Sequence, residues 1–283
     1  WTVSSDVVLR QVREKVRDEA AKYGLEVMQT EWSMLDDPPS TSVGFPSSYA
    51  EATKMGIALY MGKLIQCDLT YGNMTGWSYW TAFAQEMWGH KNRFHLIRVN
   101  AAGDTGDEST GDLRKGGKLT ADKNLWVLGN FSRFIRPGYK RVNCDLSSQG
   151  ETEEGLLLSS AWLSPDGNEV VTVLVNMSQG RRKADLSMSG ETIGEVRTYV
   201  TDRSRNLQLD ASLQDLHNME LPPRSVVTVV VSLEDATGIA GVEQSPSAIE
   251  HALYDLQGRK IHSSLLTPHS SLIIRNRKKV LVR

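Results

Sequence analysis

The pattern of hydrophobic residues changes near residue 140, and this change most restricts how the chain can fold. Up to the stop at Arg136-Pro137-Gly138, stretches of helical periodicity alternate with short apolar stretches. That order is typical of strands joined by helices in a parallel sheet. Beyond the stop, short apolar runs are separated by turn sequences such as Ser164-Pro-Asp-Gly167, which predicts an antiparallel sandwich.

Periodicity and stop signals place the individual elements. The predicted helices cover residues 6–23, 49–67 and 123–135, with Gly24 as the stop of the first. The strands of the first part cover 25–30 and 77–83, and residues 85–122 are predicted to form a long loop. The later strands are predicted at 156–163, 169–176, 181–186, 195–201 and 225–233.

A third part follows Thr237-Gly238, where a small β segment is expected. The predicted domains are therefore residues 1–142, 143–236 and 237–283.

Composition excludes several classes of function. A formal net charge of −2 gives no support to a nucleic-acid partner. No apolar run reaches the roughly 20 residues needed to span a bilayer. Cys67 is expected to be a buried thiol, and a Cys67–Cys144 bridge is disfavoured. Glu86, His90 and His95 lie close in sequence but lack the spacing of a metal site, so neither a metal nor a cofactor is expected.

Glu31 is the strongest candidate for a catalytic residue. It follows the apolar stretch that begins at Leu25, at the carboxyl end of a predicted strand. Parallel α/β barrels hold their active sites at this end of the strands. A carboxylate there can attack an anomeric carbon, because the transition state is oxocarbenium-like. The alternative is a carboxylate at the rim, paired with a lysine or arginine.

Aromatic residues accompany this carboxylate. Trp32 follows Glu31 directly, and Trp77, Tyr79 and Trp80 lie on the next predicted strand. Indole rings stack on the C–H faces of sugars, so this group suits a carbohydrate cleft. The alternative is that Trp77 and Trp80 belong to a barrel core. Because strand residues alternate between faces, Trp77 and Trp80 cannot both face the sugar.

Three segments together resemble glycoside hydrolase family 30. They are Gln29-Thr-Glu-Trp-Ser33, Gly76-Trp-Ser-Tyr-Trp80 and Leu125-Trp-Val-Leu-Gly-Asn-Phe-Ser-Arg-Phe-Ile-Arg-Pro-Gly-Tyr139. The resemblance implies the C-terminal part of a (β/α)8 TIM barrel, followed by an antiparallel β-sandwich side domain and a small C-terminal β segment. Within the family, the Glu-Trp-Ser sequence is most similar to the branch that contains endo-β-1,6-galactanases.

The resemblance also assigns roles to residues. Glu31 matches the nucleophile, and Trp32, Trp77 and Trp80 match positions near the sugar. Trp1 matches a segment that borders the cleft. No residue matches the acid/base glutamate, which belongs to strand four of the barrel. The missing N-terminal half of the barrel is therefore expected elsewhere, and this fragment alone is expected to be inactive.

The last residues resemble the C-terminal sorting modules of exported Bacteroidetes proteins. The similarity lies in Tyr254-Asp-Leu-Gln-Gly-Arg259 and Lys278-Lys-Val-Leu-Val282, whereas Ser270 and Ser271 stand where a glycine–aromatic pair is usual. This resemblance implies an exported protein, located in the periplasm, at the cell surface or outside the cell. The chain begins at Trp1 without a methionine, so a processed product or a fragment is expected.

These observations predict a retaining β-glycoside hydrolase that cleaves a polysaccharide or oligosaccharide, with β-1,6-galactan as a candidate. Two other functions stay open. One is a non-catalytic carbohydrate-binding or cell-surface protein on a degenerate glycosidase scaffold. The other is a β-sandwich interaction module.

Overall fold

The computed structural model describes residues 6–33, 53–85, 95–103, 112–144, 157–188 and 192–234, together with the backbone of four strands nearer the C-terminus. Several residues named above lie outside the described residues: Trp1, Glu86 and His90.

The described chain is a mixed α/β structure rich in sheet. Its helices are α1 (Asp6–Ala21), α2 (Lys54–Thr70) and α3 (Lys123–Ser132). The first strands are β1 (Met28–Trp32), β2 (Gly76–Tyr79), β3 (Phe83–Gln85), β4 (Ile97–Ala102) and β5 (Asp112–Ala121). The later strands are β6 (Lys140–Val142), β7 (Leu157–Leu163), β8 (Glu169–Asn176), β9 (Arg182–Ala184), β10 (Thr192–Thr201), β11 (Gln208–Leu209), β12 (Met219–Leu221) and β13 (Ser225–Glu234). The last are β14 (Leu253–Tyr254), β15 (Lys260–Ile261), β16 (Ser271–Arg275) and β17 (Lys278–Val282).

Strands β1 and β2 form a parallel pair connected through α2. Met28 lies opposite Gly76, and Trp32 lies opposite Tyr79. The predicted order of helix and strand is confirmed here, although β1 begins three residues later than expected, at Met28. Gly24 has a φ of 64° and ends the first helical segment as predicted.

The predicted loop over residues 85–122 is wrong, because this segment contains a sheet. Strand β4 pairs antiparallel with β5 and parallel with β3. Gly117 lies directly against β4, where a Cβ atom would meet the Asn100 carbonyl oxygen at 2.5 Å. In the sequence, the glycines of β5 suggested a loop. In the structure, the close approach of β4 and β5 requires a glycine at position 117. The predicted strand 77–83 is likewise two strands, interrupted after Tyr79.

Helix α2 lies at the centre of the main hydrophobic core. It is buried from Met55 to Asp68, as expected of a helix that is apolar on all sides. Its core cluster includes Leu64 of α2, Val127 of α3, and Val173 and Val226 of the later strands. The α/β part and the large sheet therefore share one core. Strand β6 lies before the predicted boundary at residue 143 and pairs with β7, which lies beyond it.

We expect Gly62→Ala to lower the free energy of unfolding by about 1–2 kcal/mol. A Cβ atom at Gly62 would meet Val127 Cγ1 at 2.9 Å and Val226 Cγ2 at 3.5 Å. Overpacking of this kind costs about 1–3 kcal/mol, of which the better helix propensity of alanine returns up to about 1 kcal/mol. Urea unfolding measures the effect, with Gly129→Ala as the control.

At Gly129 the nearest atom to an added Cβ is one Leu207 methyl at 3.2 Å. The smaller contact should make this variant milder than Gly62→Ala. Equal or greater destabilisation by Gly129→Ala would contradict the packing argument.

Beyond α3, six strands form an antiparallel sheet in the order β11-β10-β13-β8-β7-β6. Strands β9 and β12 form a separate antiparallel pair. A second core cluster contains Leu174 and Val229 of the large sheet with Leu221 of β12. Strands β14–β17 form a further sheet in the order β15-β14-β16-β17. The predicted later strands are thus confirmed with small changes of their ends, whereas the sandwich domain and its boundaries stay predictions.

A buried carboxylate orders the turn after β10. Asp202 accepts hydrogen bonds from the backbone N–H groups of Ser204 and Arg205, at 2.9 and 2.8 Å, and pairs with the Arg205 guanidinium. Burial raises the pKa of Asp202, but these donors outweigh it and hold the pKa below its ordinary value of 3.8.

Asp202 is therefore expected to stabilise the fold most at neutral pH. A depressed pKa in the folded state gives stability above pH 3.8 that is lost as the pH falls below it. We expect Asp202→Asn to reduce the free energy of unfolding at pH 7, with a smaller difference from wild type at pH 3. Urea unfolding at both pH values measures this, and a pH-independent difference would contradict it.

Candidate active site at the carboxyl ends of the parallel strands

The carboxyl ends of β1 and β2 meet at one edge of the parallel pair. Glu31 is the penultimate residue of β1, and its side chain is exposed. Among the residues that the structure describes, the Glu31 side chain makes no hydrogen bond or ion pair. The alternative, a carboxylate at the rim, requires a lysine or arginine partner, and none pairs with Glu31 in this part of the chain.

Trp32 is the buried neighbour of Glu31. The Trp32 side chain is 1% exposed, and its ring centroid lies 6.5 Å from that of Tyr60 on α2 and 5.8 Å from that of Tyr79. The ladder between β1 and β2 shifts register between Gln29 and Trp32. Trp32 is buried at this strand end, whereas its neighbour Glu31 is exposed.

The structure places Trp77 on the same side as Trp32. The two ring centroids are 5.8 Å apart, and the Trp77 indole N–H donates to Asp68 Oδ2 at 2.9 Å. Asp68 is buried on α2 and also accepts from Arg13 Nε of α1 at 2.6 Å. Trp32 is thus buried against the helix layer, whereas Trp77 contacts the same layer and is partly buried.

Burial raises the pKa of the Asp68 carboxyl, against the opposing effects of Arg13 and the Trp77 indole. The two side chains that contact Asp68 come from α1 and β2. Asp68 therefore joins both elements to α2, and so supports the strand that ends beside Glu31.

Trp80 is the candidate that remains exposed at this edge. Its backbone N–H donates to the Trp32 carbonyl oxygen at 2.9 Å, which continues the parallel ladder past Tyr79. The peptide bond after Trp80 is cis, and the side chain is 50% exposed. Of the four tryptophans singled out in the sequence, Trp80 is available for stacking beside Glu31, and Trp1 lies outside the described residues.

Sequence reasoning missed the attachment of the β3–β5 sheet. Asp122, 4% exposed, accepts from Arg98 Nε of β4 at 2.6 Å and from Lys54 Nζ of α2 at 3.1 Å. These partners are far from Asp122 in sequence, so no local pattern could have shown the contact. The ion pairs hold the sheet against the N-terminal ends of α2 and α3.

A cavity of about 490 Å³ lies elsewhere, and neither Glu31 nor Trp80 lines it. Trp77, Phe131, Tyr139 and Arg141 are among its lining residues. The candidate catalytic carboxylate is therefore outside this cavity.

Metal binding and thiol chemistry are the other possibilities in the described residues. Within these ranges, no three His, Cys, Asp or Glu side chains are grouped so that they could hold a metal ion. Cys67 is buried as predicted, and it forms no disulfide with Cys144. No helix in the described part of the chain is long and apolar enough to cross a membrane.

Comparison with known proteins identifies a glycoside hydrolase relative. No protein-family model matches the chain. The glucuronoxylanase XynC of Bacillus subtilis is 29% identical over 126 residues, which cover 44% of this chain and 28% of that protein. The chain therefore matches little more than a quarter of this relative's length.

Solved structures agree with this similarity. A conserved exported protein from Bacteroides fragilis has a TM-score of 0.64 and 26% identity, over 79% of this chain and 43% of that chain. The catalytic domain of GH30 xylanase C from Talaromyces cellulolyticus has a TM-score of 0.52 and 23% identity, over 74% of this chain and 41% of that chain. The chain thus has a xylanase relative in sequence and shares its fold with a domain of a GH30 xylanase.

Proposed function

We propose that this chain is the C-terminal part of a (β/α)8 retaining β-glycoside hydrolase, with Glu31 as the nucleophile. The observation that carries the proposal is the position of Glu31. It is an exposed carboxylate at the carboxyl end of a parallel strand, next to the exposed Trp80. The similarity to a glucuronoxylanase supports the same class of reaction.

In this mechanism Glu31 attacks the anomeric carbon and forms a covalent glycosyl-enzyme, while the bond to the leaving oxygen breaks. A second carboxyl group, about 5–5.5 Å from Glu31 in such enzymes, protonates the leaving oxygen and later activates water. We propose that this acid/base lies outside the 283 residues. The chain matches 28% of the length of its glucuronoxylanase relative, which leaves room for that group.

The proposed substrate is a β-linked polysaccharide or oligosaccharide. Similarity to the glucuronoxylanase favours a xylan, whereas the sequence Gln29-Thr-Glu-Trp-Ser33 favours β-1,6-galactan. Similarity to a conserved exported protein supports export of this chain, as does the resemblance of its last residues to sorting modules.

The test is an assay of the protein that contains this chain, on glucuronoxylan and β-1,6-galactan, with the released anomer followed by NMR. We expect one of the two to be cleaved, with the β-anomer as the first product. Initial release of the α-anomer would overturn the retaining mechanism. Binding of either polysaccharide without cleavage would favour the non-catalytic alternative. The 283-residue chain by itself is expected to be inactive.

A further inference from the structure

We propose that the cavity at the end of the parallel strands opposite Glu31 binds a small organic carboxylate, with the Arg141 guanidinium as its anchor. The cavity lies where the chain enters β2, since Met74 and Thr75 are among its lining residues. Glu31 lies instead at the carboxyl end of β1, which runs parallel to β2. The inference therefore concerns a second site and does not depend on the proposed glycosidase function.

The cavity has the size and the opening of a ligand site. Its volume is about 490 Å³, within the range of about 300–1,000 Å³ that is usual for small-molecule sites. Its floor is apolar, because the lining residues Ile65, Phe131 and Trp162 are buried. Other lining residues are exposed, among them Arg136 and Lys140. The cavity is therefore open to solvent on that side.

The charged side chains of this cavity are all positive. Within the described part of the chain, Arg136, Lys140 and Arg141 line it, and no aspartate or glutamate does. Arg136 and Lys140 belong to the exposed rim, where solvent screens their charge. Arg141 is more buried than either, so it is the group that gains most from a negative partner.

The Arg141 guanidinium lacks acceptors for most of its N–H groups. It donates from Nη2 to Asn73 Oδ1 at 3.3 Å, whereas its buried Nε has no partner in the described residues. No carboxylate in these ranges pairs with it. Burial lowers the pKa of Arg141, and the positive charge of Arg17 lowers it further. A negative group beside the guanidinium would offset both effects.

The walls of the cavity select a carboxylate with an organic body. Arginine binds a carboxylate through two parallel N–H···O bonds, which fix its orientation as well as its charge. The rings of Trp77 and Trp162 among the lining residues suit a planar or C–H-rich body. Inorganic phosphate fits less well, because it has no apolar part to place against the floor.

The experiment is an NMR titration of the protein that contains this chain, with benzoate as the probe. Benzamide is its neutral analogue of nearly the same shape. We expect benzoate to bind with a dissociation constant of about 1 mM or tighter. Benzamide should bind about tenfold more weakly, because it cannot form the charge-assisted hydrogen bonds. Inorganic phosphate should also bind more weakly than benzoate.

Two variants locate the binding at the cavity. Arg141→Met removes the charge but keeps an unbranched side chain, and should weaken benzoate binding about tenfold. Arg181→Met is the matched control and should leave binding unchanged. The Arg181 side chain is 67% exposed, and Arg181 does not line the cavity. Thermal unfolding shows whether both variants are folded.

The unmodified protein is enough to overturn the site. No binding of benzoate would do so, whether the cavity is filled by another part of the protein or has no affinity for a carboxylate. Equal binding of benzamide or of phosphate would overturn the chemistry assigned to it. Undiminished binding in Arg141→Met, or an equal loss in Arg181→Met, would overturn its location. Polysaccharide cleavage is independent of these results, so either proposal can fail while the other stands.

Discussion

Replacement of Glu31 by glutamine is expected to lower kcat by several orders of magnitude in the protein that contains this chain. Glutamine has nearly the same shape but cannot form the covalent glycosyl-enzyme. The loss of a nucleophile should cost several kcal/mol, at about 1.4 kcal/mol for each tenfold change in rate. Steady-state hydrolysis of the preferred polysaccharide measures the effect.

The stability of this variant should be nearly unchanged. Glu31 is exposed and, within the described ranges, makes no hydrogen bond or ion pair. Surface substitutions of this kind usually change the free energy of unfolding by less than about 0.5 kcal/mol. Thermal unfolding therefore distinguishes a lost catalytic group from a damaged fold.

Glu26→Gln is the matched control for Glu31→Gln. Glu26 precedes β1, near the opposite end of the strand, and accepts a hydrogen bond from Thr75 Oγ1 at 3.2 Å. The same chemical change there should leave kcat within about twofold, since no reacting group lies at that end. An activity loss below about tenfold in Glu31→Gln would remove the nucleophile assignment.

The second large effect is expected at the buried ion pair. Asp68→Asn should lower the free energy of unfolding by about 1–3 kcal/mol, because the asparagine amide places an N–H where a carboxylate oxygen accepts from Arg13 or Trp77, which leaves a buried donor unpaired. The Asp68 side chain is 0% exposed and that of Arg13 is 8% exposed, so water cannot replace the lost partner. Urea unfolding at pH 7 measures the change.

Two further variants test the cause of this destabilisation. Asp68→Leu combined with Arg13→Met removes both charges, and should recover much of the stability lost in Asp68→Asn. Asp18→Asn removes the carboxylate of an exposed pair with Arg17 and should have little effect, because solvent screens such pairs. If the exposed and buried substitutions are equally costly, the ion-pair argument is wrong.

Much of the secondary structure could be predicted from short segments. The strand predicted at 169–176 is β8, and the helix predicted at 123–135 contains α3. The last residue of β1 is Trp32, so Glu31 lies at the end of a strand as predicted. Periodicity, caps and turn residues act over a few positions, and a sequence shows them directly.

The sequence could not show which way each tryptophan faces. The pattern around Glu31 predicted aromatic residues near a sugar, but Trp32 lies against Tyr60 and Trp77 donates to Asp68. The choice between a sugar-facing ring and a core ring depends on α2, which is distant in sequence from β1. Trp80, by contrast, is 50% exposed at this edge.

The sequence by itself therefore determined the order of helices and strands, and the location of Glu31 at a strand end, because these follow from local periodicity. The tertiary structure alone decided that α2 lies between the β1–β2 pair and the six-stranded sheet, and that Gly117 belongs to a strand. It also decided that Asp122 holds the β3–β5 sheet against the N-terminal ends of α2 and α3. Each of these depends on atoms brought together from distant positions, where steric fit and charge pairing act and local sequence patterns do not.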